Sequence, residues 1–326
     1  MANALDLTTS NLLSPMVLFF ALGLGAALAR SDLAIPEAVA KFLSIYLMMA
    51  IGFKGGAGMA EHGIQPTLVL ALAGGIVLSA AMPVVAFQIL SRTTALGRVD
   101  AAAVAAHYGS ISIVTFLAGI QALNAAGIAY DDFMVAVAAA MEAPAILVAI
   151  WLARRGAETS NGSLHALREV ALNGSVVVLL GSFAIGWITG KDGLTSVAPL
   201  ITDLFKGILC LFLLDMGVIA GRGLREARRT LRGRVVLFGV YMPLIGAALG
   251  AITALLIGLN TGSTALLIVL AASSSYIAVP AAMRLALPEA KPSIYLPLSL
   301  GVTFPFNLTL GLPLYILLAS RLTGSP

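Results

Sequence analysis

Charge is what this sequence has least of. Asp, Glu, Lys and Arg together make 10% of 326 residues, against roughly 25% in a soluble globular domain. That shortage excludes a chain with water as its main solvent. Cysteine is scarcer still, with Cys210 alone in an apolar run. This excludes a disulfide framework and a Cys/His metal cluster, and Cys210 reads as a small packing residue. The three histidines, His62, His107 and His165, are scattered. There is no HExxH motif and no GxGD or GxSG arrangement, so an intramembrane enzyme is not expected. No transition metal and no cofactor are expected either. The basic excess of +4 is better explained by loop position than by nucleic acid.

What the chain does have is apolar length. Hydrophobic residues make 60% of it, and its mean hydropathy is +1.00. A bilayer span needs about 20 mostly apolar residues. Apolar runs divided by Pro, Gly and charge predict spans near 12–29, 36–53, 67–90, 100–123, 133–153, 170–189, 199–220, 233–258, 264–287 and 293–319. The expectation is an all-α polytopic membrane protein of ten spans. The segment before the first span carries Asp6 and no basic residue, unlike a cleaved signal peptide, so that span is expected to stay.

Alternate loops differ in charge. One side holds Arg30, Arg92, Arg98, Arg154, Arg155, Arg168, the run from Arg222 through Arg225, Arg228, Arg229 and Arg232 to Arg234, then Arg284 and Lys291. The other has little beyond Lys54, Lys191 and Arg321. The positive-inside rule makes the first side cytoplasmic and puts both termini outside. The arginine run reads as a topology anchor or as a site for anionic lipid or a regulator.

Five spans per half would insert a duplicated unit upside down the second time. A slide of 164 residues lays Ser110 on Ser274, Ile113 on Ile277, Ala118 on Ala282, Ala122 on Ala286, Leu123 on Leu287 and Ala126 on Ala290. Nearly the same slide pairs Ile51-Gly52 with Met216-Gly217 and Gly56 with Gly221, predicting equivalent breaks at the ends of the second and seventh spans. The expected organisation is a first five-span repeat over 1–155, a short cytoplasmic linker over 156–169, and a second, inverted repeat over 170–326.

Spans four and nine are polar at their middles. The fourth carries His107, Tyr108, Gly109, Ser110, Ser112 and Thr115; the ninth carries Ser273, Ser274, Ser275 and Tyr276, then Pro280. Such clusters favour helix breaks, and freed backbone inside a membrane is tolerated only beside protein or a wet cavity. Opposed breaks would bring half-helix ends together, N-termini for an anion and carbonyls or hydroxyls for a cation. The alternative is helix-to-helix hydrogen bonding. Glu142, the one carboxylate inside span five, is a candidate cation or proton site. Thr303 and Asn307 add a hydroxyl and an amide beside Pro305. Lys54 and Asp215 are either gate residues or interfacial charges. His107 is either a proton shuttle or a neutral histidine bonded to a carbonyl.

These residues resemble the sodium-dependent bicarbonate transporter family. The resemblance spans nearly the whole chain and is densest in HYGSISIVTF (107–116), MEAPA (141–145) and AASSSYIAVPAAMR (271–284). It implies two inverted five-helix repeats, a core from 67–153 and 233–319, a gate from 12–53 and 170–220, and broken helices crossing at spans four and nine. It implies Na⁺-coupled symport of a small inorganic anion by an elevator-like motion, in a homotrimer of the bacterial inner membrane. Substrate contacts would fall on Gly109, Ser110, Ser112, Thr115, Ser273, Ser274 and Ser275. Sodium candidates are Glu142, where cyanobacterial members have aspartate, with Tyr276, Thr303 and Asn307. Tyr276 departs from the family's aspartate. The long cytoplasmic insertion is absent, which bears on the family's PII-like regulatory partner. Symport of an organic anion, cation/proton antiport and a non-transporting scaffold or sensor remain the alternatives.

Overall fold

The computed structural model describes residues 13–63, 66–154, 174–231, 233–276 and 278–324. The expected linker at 156–169, together with Arg155, Arg168, Arg232, His165 and Ile277, lies outside them. Regular structure in the described residues is entirely helical: α1 (Pro15–Leu28), α2 (Glu37–His62), α3 (Pro66–Thr93), α4 (Arg98–Gly109), α5 (Ile113–Ala126), α6 (Met134–Ala140), α7 (Ala143–Arg154), α8 (Gly174–Ser196), α9 (Phe205–Thr230), α10 (Gly233–Ile257), α11 (Thr261–Ala272) and α12 (Ala278–Ala286). A last rod, α13 (Pro292–Leu322), widens into π turns at Ser299–Thr303 and Asn307–Gly311, where Pro297, Pro305 and Pro313 withdraw backbone donors.

Among the described residues, eight helical segments are long and apolar enough to cross a membrane, and the shorter apolar helices α1 and α11 fall at the first and ninth expected spans. The fourth span is divided between α4 and α5, the ninth between α11 and α12. Span five is also divided, between α6 and α7, which the sequence reading did not anticipate.

Hydrogen bonds between helix ends fix direction. At one end Arg98 Nε donates to the Leu152 carbonyl (2.9 Å), Arg154 to that of Ala286 (2.9 Å) and Arg234 to that of Thr93 (3.4 Å). The basic residues at these helix ends thus share one end of the bundle. At the other, Asn260 caps α11 and, with Ser263, holds the Asp131 carboxylate of the loop after α5 at 2.8 and 2.7 Å. The pair α4–α5 therefore leaves the basic end while α11–α12 runs toward it.

Two packing groups result. In one, α1 lies on α9 and α2 on α8; in the other, α3 packs on α4, α7 and α10, and α11 on α10 and α13. Exchanging the chain's halves maps these pairs onto each other. The first group packs through glycine. A methyl on Gly52 or Gly56 would sit 2.4 or 1.9 Å from the carbonyls of Leu179 and Phe183, and one on Gly217 or Gly221 would sit 2.1 or 2.9 Å from those of Phe20 and Leu24. This corrects one expectation: the glycines matched by the slide are not breaks. They lie inside the continuous helices α2 and α9 and let backbones touch, as small residues four apart do in membranes.

The second group buries the facing parts of α4, α5 and α11. Every residue from Ala101 to Ile120 and from Gly262 to Tyr276 is buried, as expected of helices surrounded by protein on all sides. Their serines and histidine thus have only the bundle interior in which to pair.

Candidate functional site

The first break starts where α4 meets α3. Pro83 has no N–H, so it leaves the Ser79 carbonyl four residues earlier without its helical donor. Gly109 ends α4 against this point. A Cβ on Gly109 would lie 2.4 Å from Pro83 Cδ and 2.7 Å from the Ser79 oxygen, so no larger residue fits. Ser110 and Ser112 are extended, and Ser112 restarts the helix as the N-cap of α5. Its Oγ accepts from the Thr115 N–H (3.2 Å) and the Thr115 hydroxyl (3.0 Å), which satisfies one first-turn donor.

The second break clasps the first. Ser273 Oγ donates to the Leu270 carbonyl (2.8 Å) and accepts from the Ser112 N–H (2.9 Å). The Ser275 N–H donates to the His107 carbonyl (2.8 Å), and His107 Nδ1 lies 2.5 Å from the Ser275 carbonyl. A carbonyl only accepts, so Nδ1 carries the proton and Nε2 keeps a bare lone pair if the ring is neutral. Asn307 closes the end of α11: its Nδ2 donates to the Ala272 carbonyl (2.9 Å), and its Oδ1 accepts from the Tyr315 hydroxyl (2.8 Å).

After this pairing some polar atoms remain without partners. Among the described residues, buried side-chain atoms outside normal hydrogen-bond geometry are His107 Nε2, Ser110 Oγ, Glu142 Oε2, Asp215 Oδ2, Ser274 Oγ, Tyr276 Oη and Ser299 Oγ, with the Tyr276 hydroxyl still close enough to interact with the Ser112 side chain. Four of the seven belong to the two breaks. An unsatisfied buried polar group costs about 1–3 kcal/mol, and this single crossing concentrates four of them. The hydroxyls of Ser110, Ser274 and Tyr276 can donate to an anion or turn lone pairs to a cation. Two half-helices, α5 and α12, start beside the breaks, and two, α4 and α11, end there. Positive and negative dipole ends therefore meet within one buried volume. The Tyr276 ring packs edge-on to Phe304 (5.2 Å), which packs on Phe20 of α1 (5.4 Å), tying the crossing to the first packing group.

The remaining candidates are placed unequally. Thr303 Oγ1 donates to the Gly239 carbonyl (2.7 Å), which Pro243 frees as Pro83 frees Ser79, and it lies 2.6 Å from the Tyr108 hydroxyl. With its proton engaged, Thr303 must accept from Tyr108. Thr303 and Asn307 thus serve as braces of α10 and α11 in this conformation. Glu142 sits in the break of span five, where Pro144 removes a donor. Ser79 Oγ bridges this break, donating to the Met141 carbonyl (2.6 Å) and accepting from the Ala145 N–H (3.2 Å). Its residue thus touches both the Gly109 crossing and the turn that carries Glu142.

Sequence reasoning missed Ser79 and Gly239. The signal that could have found them is a proline four residues later, Pro83 and Pro243, at similar places in the two halves. Asp215 and Lys54 lie within α9 and α2 rather than at their ends, and Asp215 is buried in the bundle. Lys54 Nζ stands 4.6 Å over the Phe205 ring, and Lys54 lines a small cavity of about 50 Å³ whose polar members are Gln121, Asn124, Tyr130 and Asp132. In that loop, burial pushes the Tyr130 phenol up, Asp132 adds to the shift, and a hydrogen bond with Asn124 opposes it. Among the described residues no group of three His, Cys, Asp or Glu could hold a metal ion.

Compared with known proteins, residues 15–320 match the family model of the Na⁺-dependent bicarbonate transporter superfamily. No curated protein matches the chain.

Proposed function

The chain belongs to the Na⁺-dependent bicarbonate transporter superfamily, a family of transporters and not of enzymes, and from that premise we propose that it carries bicarbonate inward together with Na⁺. The observation that carries the reading is the group of partnerless polar atoms where the two broken helices clasp. In this reading the anion lies between the breaks, held by the Ser110 and Ser274 hydroxyls and the first turns of α5 and α12. The framework is backbone and capping: Gly109, Ser112, Thr115, Ser273 and Ser275. Na⁺ takes oxygens from the same region, with Tyr276 and Glu142 as the candidates that keep unused capacity. Thr303 and Asn307 already bond to Gly239, Tyr108, Ala272 and Tyr315 and would offer a remaining lone pair.

The repeats are proposed to be inverted, which is supported by the opposite directions of α4 and α11 and by the exchange of packing pairs between halves. The group of α3–α7 and α10–α13 would move as a core against α1, α2, α8 and α9. Continuous glycine packing in the latter suits a rigid scaffold. A homotrimer in a bacterial inner membrane, with both termini outside and the basic end cytoplasmic, completes the proposal. A PII-like regulator would have to act without the family's long insertion.

Purified protein in liposomes should accumulate labelled bicarbonate under an inward Na⁺ gradient. Ser110→Ala and Ser274→Ala should each reduce uptake at least tenfold, the effect of losing about 1.4 kcal/mol at the site. Uptake unchanged when Na⁺ is replaced by K⁺ would remove the coupling. Uptake driven by a pH gradient alone would favour proton exchange, for which His107 Nε2 and Glu142 are the available groups.

A further inference from the structure

The basic end carries a recess away from the crossing. A cleft of about 590 Å³ lies between the α3–α4 linker, the α9–α10 linker and the start of α13. Arg234 and Lys291 stand in its wall beside Leu96, Leu231, Val235 and Ile294. Neither cation is ion-paired among the described residues. The Arg234 guanidinium makes one long bond, 3.4 Å to the Thr93 carbonyl. Asp100, the carboxylate in the wall, accepts from the Lys291 backbone N–H at 2.9 Å and so anchors the start of α13 beside the cleft.

The cleft joins cation to grease at the level where helices leave the bilayer. Arg234 is the second residue of α10, and three residues on, Leu237 is 60% exposed, followed by Leu244 at 40%. An outward apolar stripe thus descends from the mouth of the cleft into the zone that lipid chains occupy. Basic recesses between spanning helices suit anionic head groups, and each cation near the surface adds attraction. A free phosphate would use the cations but neither the apolar wall nor the stripe. We propose that this cleft seats the head group of an anionic phospholipid, its phosphodiester between Arg234 and Lys291 and its chains along Leu237 and Leu244. The occupant would pin the linker between α9 and α10, one of the covalent joins between the two packing groups. The proposal does not depend on what the crossing transports.

The test is lipid retention by the full chain, delipidated in detergent and titrated with phosphatidylglycerol or phosphatidylcholine under native mass spectrometry. One phosphatidylglycerol per chain should be retained in preference to phosphatidylcholine. Arg234→Gln with Lys291→Gln should weaken it roughly 25-fold, about fivefold per charge. Arg222→Gln, at the same end but outside the cleft, should change it less than about twofold. Loss of preference in Arg222→Gln equal to that in the double variant, or a preference that survives the double variant, would overturn the site. Complete displacement by inorganic phosphate would assign the cleft to a free anion and overturn the lipid. Should the double variant fail to fold, Lys291→Gln alone, on an exposed side chain, must still show the fivefold step.

Discussion

The two breaks do the same geometric job with different parts. The first is capped within its own span, where Ser112 with Thr115 caps the helix that restarts, while Gly109 allows the approach to Pro83 of α3. The second borrows its closure. Asn307, 35 residues on in α13, takes the carbonyl at the end of α11, and His107 of the first break takes the Ser275 carbonyl. Local capping holds the helix that restarts the first break; the end of α11 has one local bond, from Ser273, and otherwise depends on α13 and α4. If core segments shift relative to each other during transport, the second break has more bonds to lose.

The comparison breaks most severely at Gly109. In Gly109→Ala the new methyl meets the Pro83 ring and the Ser79 carbonyl, neither of which can swing away, and overpacking of this kind costs about 3 kcal/mol. Thermal unfolding in detergent should fall, and uptake should be lost. A variant as stable and active as the parent would mean that the first break has slack its geometry does not display.

The second break is tested by Asn307→Leu, which preserves bulk and removes two bonds at once. The Ala272 carbonyl and the Tyr315 hydroxyl are both left buried without partners, and about 2 kcal/mol should be lost. Since Asn307 is also a sodium candidate, stability should be measured in Na⁺ and in K⁺. A brace loses the same stability in both. A ligand loses the extra stabilisation that Na⁺ gives the parent.

The difference between the breaks also explains what could be read from sequence. Spans were legible because apolar length is written in consecutive residues, and both breaks because HYGSIS and SSSYIAVP put glycine, serine and proline inside apolar runs. The roles of Thr303 and Asn307 were not legible. Each lies between prolines in a plausible ligand context, and only the positions of Gly239 and Ala272 across the bundle reveal the bracing bonds they make. The matched glycines were read as breaks because a glycine in a helix either ends it or brings another backbone close. The run alone does not say which; the partners, Leu179, Phe183, Phe20 and Leu24, do. The break at Glu142 hid behind the continuous hydrophobicity of AAAMEAPAILVA, with Pro144 its only mark.

The smallest expected effect lies at Ser112, and it separates a cap from a contact. In Ser112→Ala the backbone N–H still reaches Ser273 Oγ, so the clasp between breaks survives. What goes is the acceptor for the Thr115 N–H and hydroxyl. The hydroxyl can turn back to a carbonyl one turn earlier, as threonine does in helices, leaving one first-turn donor unmatched at a cost of about 1 kcal/mol. Ser112→Thr keeps the oxygen and should restore stability. If the cap is the whole role, uptake in Ser112→Ala should follow the stability loss, with the concentration of bicarbonate at half-maximal rate unchanged. A rise in that concentration at unaltered stability would move Ser112 from the frame of the first break to its contents.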